Sequence, residues 1–136
     1  MITTLAVKSK ARVQFLNITK QVQEAVKQTN IHEGICLVYV PHTTAGATIN
    51  ESADPAVPAD IISSLEQLVP LHSNYTHMEG NSDAHIKTLL TGNSVSIPIA
   101  KGNLSLGTWQ AIFFTEFDGP RKRKYQIIVV ESNSKP

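Results

Sequence analysis

Alternating and continuous apolar runs divide the chain into short strands. The first fifteen residues predict two of them, at 2–7 and 12–15, joined by a polar turn into a hairpin. The run at 35–40 is continuous and β-branched, which is typical of a central strand buried on both faces. Turn residues separate three further predicted strands, at 95–99, 108–117 and 125–131.

Helical spacing of apolar residues predicts three amphipathic helices. Their stripes consist of Ile18, Val22, Ala25 and Val26, of Ile61, Leu65, Leu68 and Val69, and of Ile86, Leu89 and Leu90. Pro70 ends the second helix and Gly92 follows the third. Residues 71–82 lack periodicity, and so long a loop in a compact domain is usually functional or tightly packed. Residues 132–136 are predicted to be a frayed tail.

The order of these elements predicts the fold class. Helices lie between sets of strands without the regular alternation of βαβ units. We therefore predict an α+β fold, in which a largely antiparallel sheet packs with two to three helices. The whole chain, 1–136, is predicted to form a single compact domain.

Composition limits the functional classes. The chain has 136 residues, of which 41% are hydrophobic, and this excludes a disordered or collagen-like protein. Lys and Arg number 12 against 11 Asp and Glu, and the formal net charge of +1 is too small to attract nucleic acid or a membrane. No signal-peptide core and no apolar run of about 18 residues is present, and we expect the cytoplasm. The low charged fraction of 17% hints that neighbouring subunits cover part of the polar surface.

The single cysteine argues against thiol chemistry. Cys36 lies in the predicted central strand, and we expect it to be a small, buried hydrophobic side chain. A single cysteine cannot form an intrachain disulfide, which favours a reducing compartment. The sequence also contains no G-x-S-x-G, P-loop, dinucleotide-binding or C-x-x-C motif.

Three of the five histidines lie in polar segments, two of them beside acids. They are His42, His77 and His85. Three imidazoles could form a divalent metal site with an open position for water or substrate. Their spacing matches neither a zinc finger nor a metalloprotease helix, so the alternative is a hydrogen-bonded polar seam.

Polar residues near the end of the central strand offer further contacts. Thr43 and Thr44 follow His42, and the backbone N–H groups of this small-residue segment could approach an anion, although a plain turn is equally open. Asn50 and Glu51 end a second extended segment. Such side chains can bind Mg²⁺, accept a proton or orient an imidazole, or they are simply solvated.

Two later segments could contact a flat or phosphorylated ligand. Trp109 could stack on a ring and Gln110 could bind it, but a core position for Trp109 is at least as consistent with the pattern. Arg121 begins the only charge run, 121–124, which could hold phosphate or form a solvated strand edge. The run is short and contains no aromatic platform, so nucleic-acid binding is not supported.

Taken together, these motifs resemble a known family. They are His42-Thr43-Thr44-Ala45, Thr48-Ile49-Asn50-Glu51, Asp54-Pro55, Tyr75, His77, Glu79-Gly80, His85-Ile86-Lys87 and Gly107-Thr108-Trp109-Gln110. In this order they closely resemble the YjbQ-like family, also called the secondary thiamine-phosphate synthase family. The likeness covers essentially the whole chain. Ala53 departs from it, because some relatives have cysteine before the Asp-Pro pair.

The resemblance implies an α+β homotrimer. From the charge and composition we expect no nucleic-acid or membrane partner. It also implies a divalent metal (Mg²⁺, Zn²⁺ or Mn²⁺) bound by histidines, and a weak transferase activity that joins hydroxymethylpyrimidine diphosphate to a thiazole phosphate with release of diphosphate. The expected catalytic residues are His42, Glu51, His77 and His85, with His42, His77 and His85 also the metal ligands. The expected substrate-binding residues are Thr43, Thr44, Asn50, Trp109, Gln110 and Arg121. The alternatives are a non-catalytic metal- or ligand-binding trimer and a metal-assisted phosphate-ester hydrolase.

Overall fold

The computed structural model describes residues 2–133, which form eight strands and three helices. The strands are β1 (Ile2–Lys8), β2 (Gln14–Asn17), β3 (Gly34–Tyr39), β4 (Ala45–Glu51), β5 (Ser94–Ala100), β6 (Asn103–Leu104), β7 (Gln110–Glu116) and β8 (Lys122–Glu131). The helices are α1 (Thr19–Gln28), α2 (Ala56–Leu68) and α3 (Ser82–Thr91). Within the described part of the chain no helix is long and apolar enough to cross a membrane. The end of the predicted tail, residues 134–136, lies outside the description.

The strands form two antiparallel sheets, which confirms the predicted α+β class with a single compact domain. The larger sheet has the order β1-β8-β3-β5-β6, and the smaller has the order β2-β7-β4. The predicted hairpin of the first two strands is wrong, because β1 pairs with β8 and β2 pairs with β7. The segment between them binds a distant turn instead. Ser9 Oγ donates a hydrogen bond of 2.6 Å to Glu116 Oε1, and the N–H of Gly119 donates to the carbonyl of Arg12.

The core lies where the inner faces of both sheets meet α1. Its main members are Val22 and Val26 of α1, Cys36 and Val38 of β3, Ile97 of β5, Ile112 and Phe114 of β7, and Tyr125 and Ile127 of β8. β7 is buried on both faces over nearly its whole length, as its apolar pattern predicted. Cys36 is fully buried as expected, and this burial raises the pKa of its thiol to about 11.

The larger sheet leaves its outer face open. β3 is central by pairing, since β5 and β8 flank it, but the prediction that both of its faces are buried is wrong. Ile35 is 54% exposed and Tyr39 38% exposed, while the alternate residues Cys36 and Val38 are inaccessible. The cause is that no helix or loop among residues 2–133 packs against this face. An apolar outer surface therefore remains.

Helix α3 packs with its polar side inward. Asp83 and Lys87 are completely buried, whereas Leu89 is 80% exposed and Leu90 lies outward beside it. The predicted helix is present, but its apolar stripe does not join the core. The reason is a buried ion-pair network, described below, that turns the polar face of α3 inward.

Candidate ligand site

Three neighbouring clefts converge on His85, which lines all of them. The polar cleft, of about 430 Å³, is lined by Pro41, His42, Thr43, Thr44, His77, Glu79, Asn81, His85, Asp118, Arg121 and Arg123. The loop cleft, of about 440 Å³, is lined by Asn74, Tyr75, Thr76, His77, Ser82, His85 and Ile86. The helix cleft, of about 320 Å³, is lined by His42, Thr43, His85, Thr88, Leu89, Gly92 and Asn93. Six of the ten predicted site residues line the polar cleft: His42, Thr43, Thr44, His77, His85 and Arg121.

His77 and His85 are in contact. His77 lies in the loop before α3, and His85 lies in the first turn and a half of that helix. Their ring centroids are 5.4 Å apart and their planes meet at 88°, an edge-to-face pair. Glu79 Oε1 lies 3.9 Å from His77 Nε2, and both side chains are largely open to solvent. Solvent therefore reaches the side chains of both His77 and Glu79.

His42 has one ring nitrogen already engaged. It follows Pro41 at the end of β3, and its Nε2 accepts a 3.1 Å hydrogen bond from the backbone N–H of Lys124. Partial burial, followed by the positive charge of Arg123, lowers the pKa of His42. The hydrogen bond that Nε2 accepts requires the neutral ring. Because Nε2 is the acceptor, its proton resides on Nδ1.

Arg123 is buried behind the polar cleft and tied to Glu116. Its Nε donates 2.9 Å to Glu116 Oε1, and its Nη2 donates 2.6 Å to Oε2 and 2.8 Å to Thr44 Oγ1. Burial of Glu116 by itself would raise its pKa, but the hydrogen bonds from Arg123, Ser9 and the Asp118 N–H outweigh it and lower the pKa. Sequence reasoning missed Arg123 as a site residue. The available signal was strand alternation, which places it on the same face as Arg121.

Arg121 is held more loosely at the mouth of the cleft. Its Nε donates 2.8 Å to the Asp118 carbonyl and its Nη2 donates 3.0 Å to Asp118 Oδ2, with half of the side chain exposed. Asp118 Oδ2 also accepts 2.9 Å from Asn81 Nδ2, at the residue preceding α3. The buried Asn81 Oδ1 accepts nothing from the residues that the structure describes.

The ion-pair network beneath α3 fixes the orientation of His85. Asp83 accepts bonds of 2.9 and 3.1 Å from Arg12, and its Oδ2 accepts 3.0 Å from the fully buried Lys87. Lys87 Nζ also donates 3.1 Å to Glu66 of α2. Since two charged groups of α3 are locked inward, the helix cannot rotate without leaving buried charges unpaired. His85 is thereby kept facing the clefts.

The remaining four predicted residues line none of the three clefts; they are Asn50, Glu51, Trp109 and Gln110. Glu51 pairs with Gln110 at one end of the smaller sheet, whereas Ala45 pairs with Glu116 at the other. This register separates the two ends by about 20 Å. Trp109 is 63% exposed, so the core position that the pattern also allowed for it is wrong. Within one chain these residues do not join the histidines.

The histidines do not form a ready metal site in the single chain. Among residues 2–133 no group of three His, Cys, Asp or Glu side chains is placed to hold a metal ion. The donor chemistry agrees with this, because Nε2 of His42 accepts a backbone N–H and its Nδ1 carries a proton. A neutral imidazole binds a metal through an unprotonated nitrogen that is free of other bonds. The three-histidine metal site stays a prediction.

Comparisons with known proteins agree with one another. A family model described as UPF0047 protein YjbQ-like matches residues 3–132. A UPF0047 protein of Methanocaldococcus jannaschii is 48% identical over 130 residues, which cover 96% of this chain and 94% of the relative. The crystal structure of an uncharacterized conserved YjbQ/UPF0047 protein from Clostridium acetobutylicum has a TM-score of 0.93 at 48% identity, covering 94% of this chain and 99% of that one. A YbjQ-like protein of unknown function from Sulfolobus solfataricus has a TM-score of 0.93 at 29% identity, covering 97% of each chain.

Proposed function

The chain belongs to the UPF0047 YjbQ-like family, and from this premise we propose that its polar cleft binds a small phosphorylated substrate for group transfer. The observation that carries the proposal is the convergence of two arginines and three histidines on one open cleft. Guanidinium groups donate paired hydrogen bonds that match phosphoryl oxygens. The cleft volume of about 430 Å³ is in the range of small-molecule sites.

The reaction that we propose is synthesis of thiamine phosphate, as a secondary or principal activity. The C–O bond of hydroxymethylpyrimidine diphosphate breaks, and the diphosphate leaves with the electron pair. The ring nitrogen of the thiazole phosphate then forms the new C–N bond at the same carbon. Arg121 and Arg123 would donate to the oxygens on which negative charge accumulates, which is the principal electrostatic requirement of this step. His77 and His85 would line the path between the polar and loop clefts.

We further propose that the chain forms a homotrimer through the outer face of its larger sheet. Rows of outward residues there are mainly apolar: Val130, Ile35 and Pro98 in one row, and Ile2, Ile128 and Leu37 in the next. Several are more than half exposed in the single chain, which is unusual for so contiguous a patch. A second copy would cover this surface. A neighbouring subunit would also offer a route by which Trp109 could approach a histidine cleft, since Trp109 lines none of the three clefts of its own chain.

An enzyme assay tests the transferase. Purified protein is supplied with the two phosphorylated precursors and Mg²⁺, and thiamine phosphate is measured by chromatography. We expect formation that falls to background in His85→Ala, because His85 borders all three clefts, and that is unchanged in His32→Ala, which lies outside them. Product formation no greater in the wild type than in His85→Ala would contradict the activity. Release of inorganic phosphate from simple esters would favour the hydrolase instead, and ligand binding without turnover the non-catalytic alternative.

Light scattering coupled to size exclusion tests the trimer. We expect the wild type to have three times the mass of one chain and Ile35→Lys to have the mass of one, because a charge on this face opposes its burial. Gln28→Lys, an exposed change on α1, serves as the control and keeps the trimeric mass. A monomeric wild type at micromolar concentration would exclude this assembly.

A further inference from the structure

We infer that Arg123 and His42 form a fixed phosphoryl-binding pair in the polar cleft, and that His42 acts there as an N–H donor instead of a metal ligand. The inference rests on the proposed binding of a phosphorylated substrate and adds which groups hold it. It assigns the main anchor to the buried arginine, not to Arg121, which is the more exposed of the two.

The geometry of Arg123 leaves one guanidinium nitrogen for a ligand. Nε and Nη2 are used by Glu116 and Thr44, in bonds of 2.6 to 2.9 Å. Nη1 donates to no group among residues 2–133, although Arg123 lines the polar cleft and its side chain is only 7% exposed. Glu116 and Thr44 hold the guanidinium plane in place before any ligand arrives. Little conformational entropy is then lost on binding, in contrast to the half-exposed Arg121.

The geometry of His42 leaves one donor in the same cleft. Its Nε2 accepts the Lys124 N–H, so the neutral ring carries its hydrogen on Nδ1. Nδ1 donates to no group in the described part of the chain. A metal ion would have to displace the Lys124 hydrogen bond or remove the Nδ1 proton, and a phosphoryl oxygen needs neither change. The ring is therefore prepared for an acceptor.

Charge balance defines the kind of ligand. Glu116 neutralises Arg123, Asp118 neutralises Arg121, and the carboxylate of Glu79 also lines the cleft, so the cleft has no excess positive charge. Recognition then depends on directed N–H groups, two from Nη1 and one from His42, which suit a tetrahedral oxyanion with several acceptor oxygens. The terminal group of a diphosphate has this chemistry.

Titration with inorganic pyrophosphate, followed by calorimetry, is the first test. Arg123→Lys and Arg121→Lys are matched substitutions that retain charge and remove the planar fork. We expect Arg123→Lys to weaken binding about tenfold or more, since a directed charged hydrogen bond is lost, and Arg121→Lys to weaken it less. The reverse order in folded variants would overturn this inference and leave the proposed function intact. No binding of pyrophosphate by the wild type would overturn both.

Nitrogen-15 NMR of the wild-type protein is the second test, and it does not depend on whether a variant folds. We expect the His42 signals of the Nδ1–H tautomer in the free protein, and pyrophosphate should shift both Nδ1–H and the Arg123 Nη resonances. A protonated Nε2 at His42, or shifts confined to Arg121, would refute the pair. Added Zn²⁺ should leave the His42 tautomer unchanged, and its conversion by Zn²⁺ would show that the ring is a metal ligand.

Discussion

Replacing Glu116 by alanine should destabilise the protein strongly. Glu116 is fully buried, and its two oxygens accept bonds from Arg123, Ser9 and the backbone N–H of Asp118. The substitution leaves the buried guanidinium of Arg123 without its counter-charge and removes the side chain that joins β7 to Arg123 and Ser9. Breaking a buried ion pair from one side costs about 3–5 kcal/mol, so we expect a loss of that size in the free energy of unfolding.

Guanidinium chloride unfolding followed by circular dichroism measures this loss. The matched control is Glu79→Ala, because Glu79 is an exposed carboxylate of the same cleft, and its removal should change stability by no more than about 0.5 kcal/mol. The double variant Glu116→Leu with Arg123→Met should regain much of the loss, since both charges leave together. If Glu116→Ala costs less than about 1 kcal/mol, or if the double variant is no more stable than the single, the pair does not organise the site as described.

Three further outcomes follow from the same contacts. The folded-state pKa values of Glu116 and Asp83 are lowered below the ordinary values of 4.5 and 3.8, so the unfolded state binds more protons in acid. The stabilisation from these two carboxylates is complete above about pH 5 and is lost as the pH falls through their folded-state pKa values. Calorimetry should therefore show a melting temperature that decreases across this acid range, and that decreases less steeply in Glu116→Gln. Gly46→Ala should lower the free energy of unfolding by about 1–3 kcal/mol, because the new Cβ would collide with the backbone carbonyl oxygen of Gly92. Gly107→Ala is the control, because its Cβ would meet only the flexible side chain of Gln110 at 3.3 Å. Equal melting temperatures for the two variants would contradict this packing. Elemental analysis after dialysis against Zn²⁺ should give the same metal content for His42→Ala as for the wild type, and loss of metal in this variant would restore the three-histidine site.

Local periodicity was sufficient for most of the elements. The first helix, the central strand and the long apolar strand were predicted from side-chain spacing, because a helix or strand of this length is specified largely by which of its faces meets a core. Cys36 was recognised as buried for the same reason. The pattern of polar segments and a family resemblance grouped His42, His77 and His85, and the three line one cleft; that they form a functional site stays a prediction.

Tertiary structure decided which strands pair and which face of α3 is buried. Arg12 and Asp83 are 71 residues apart, and Ser9 and Glu116 are 107 apart, so no local pattern could indicate that each pair is joined by a hydrogen bond in the fold. The ion-pair network of Asp83 and Lys87 holds the polar face of α3 inward and leaves its apolar stripe outward. The first two strands pair in different sheets, with β8 and β7, and so do not form the predicted hairpin. Burial of a charge is tolerated only when its partner is present, and the fold alone brings such partners together. For this reason the sequence determined most of the elements and the residue types of the cleft, and the fold determined that Arg123 lines the polar cleft and that Trp109 of the same chain does not.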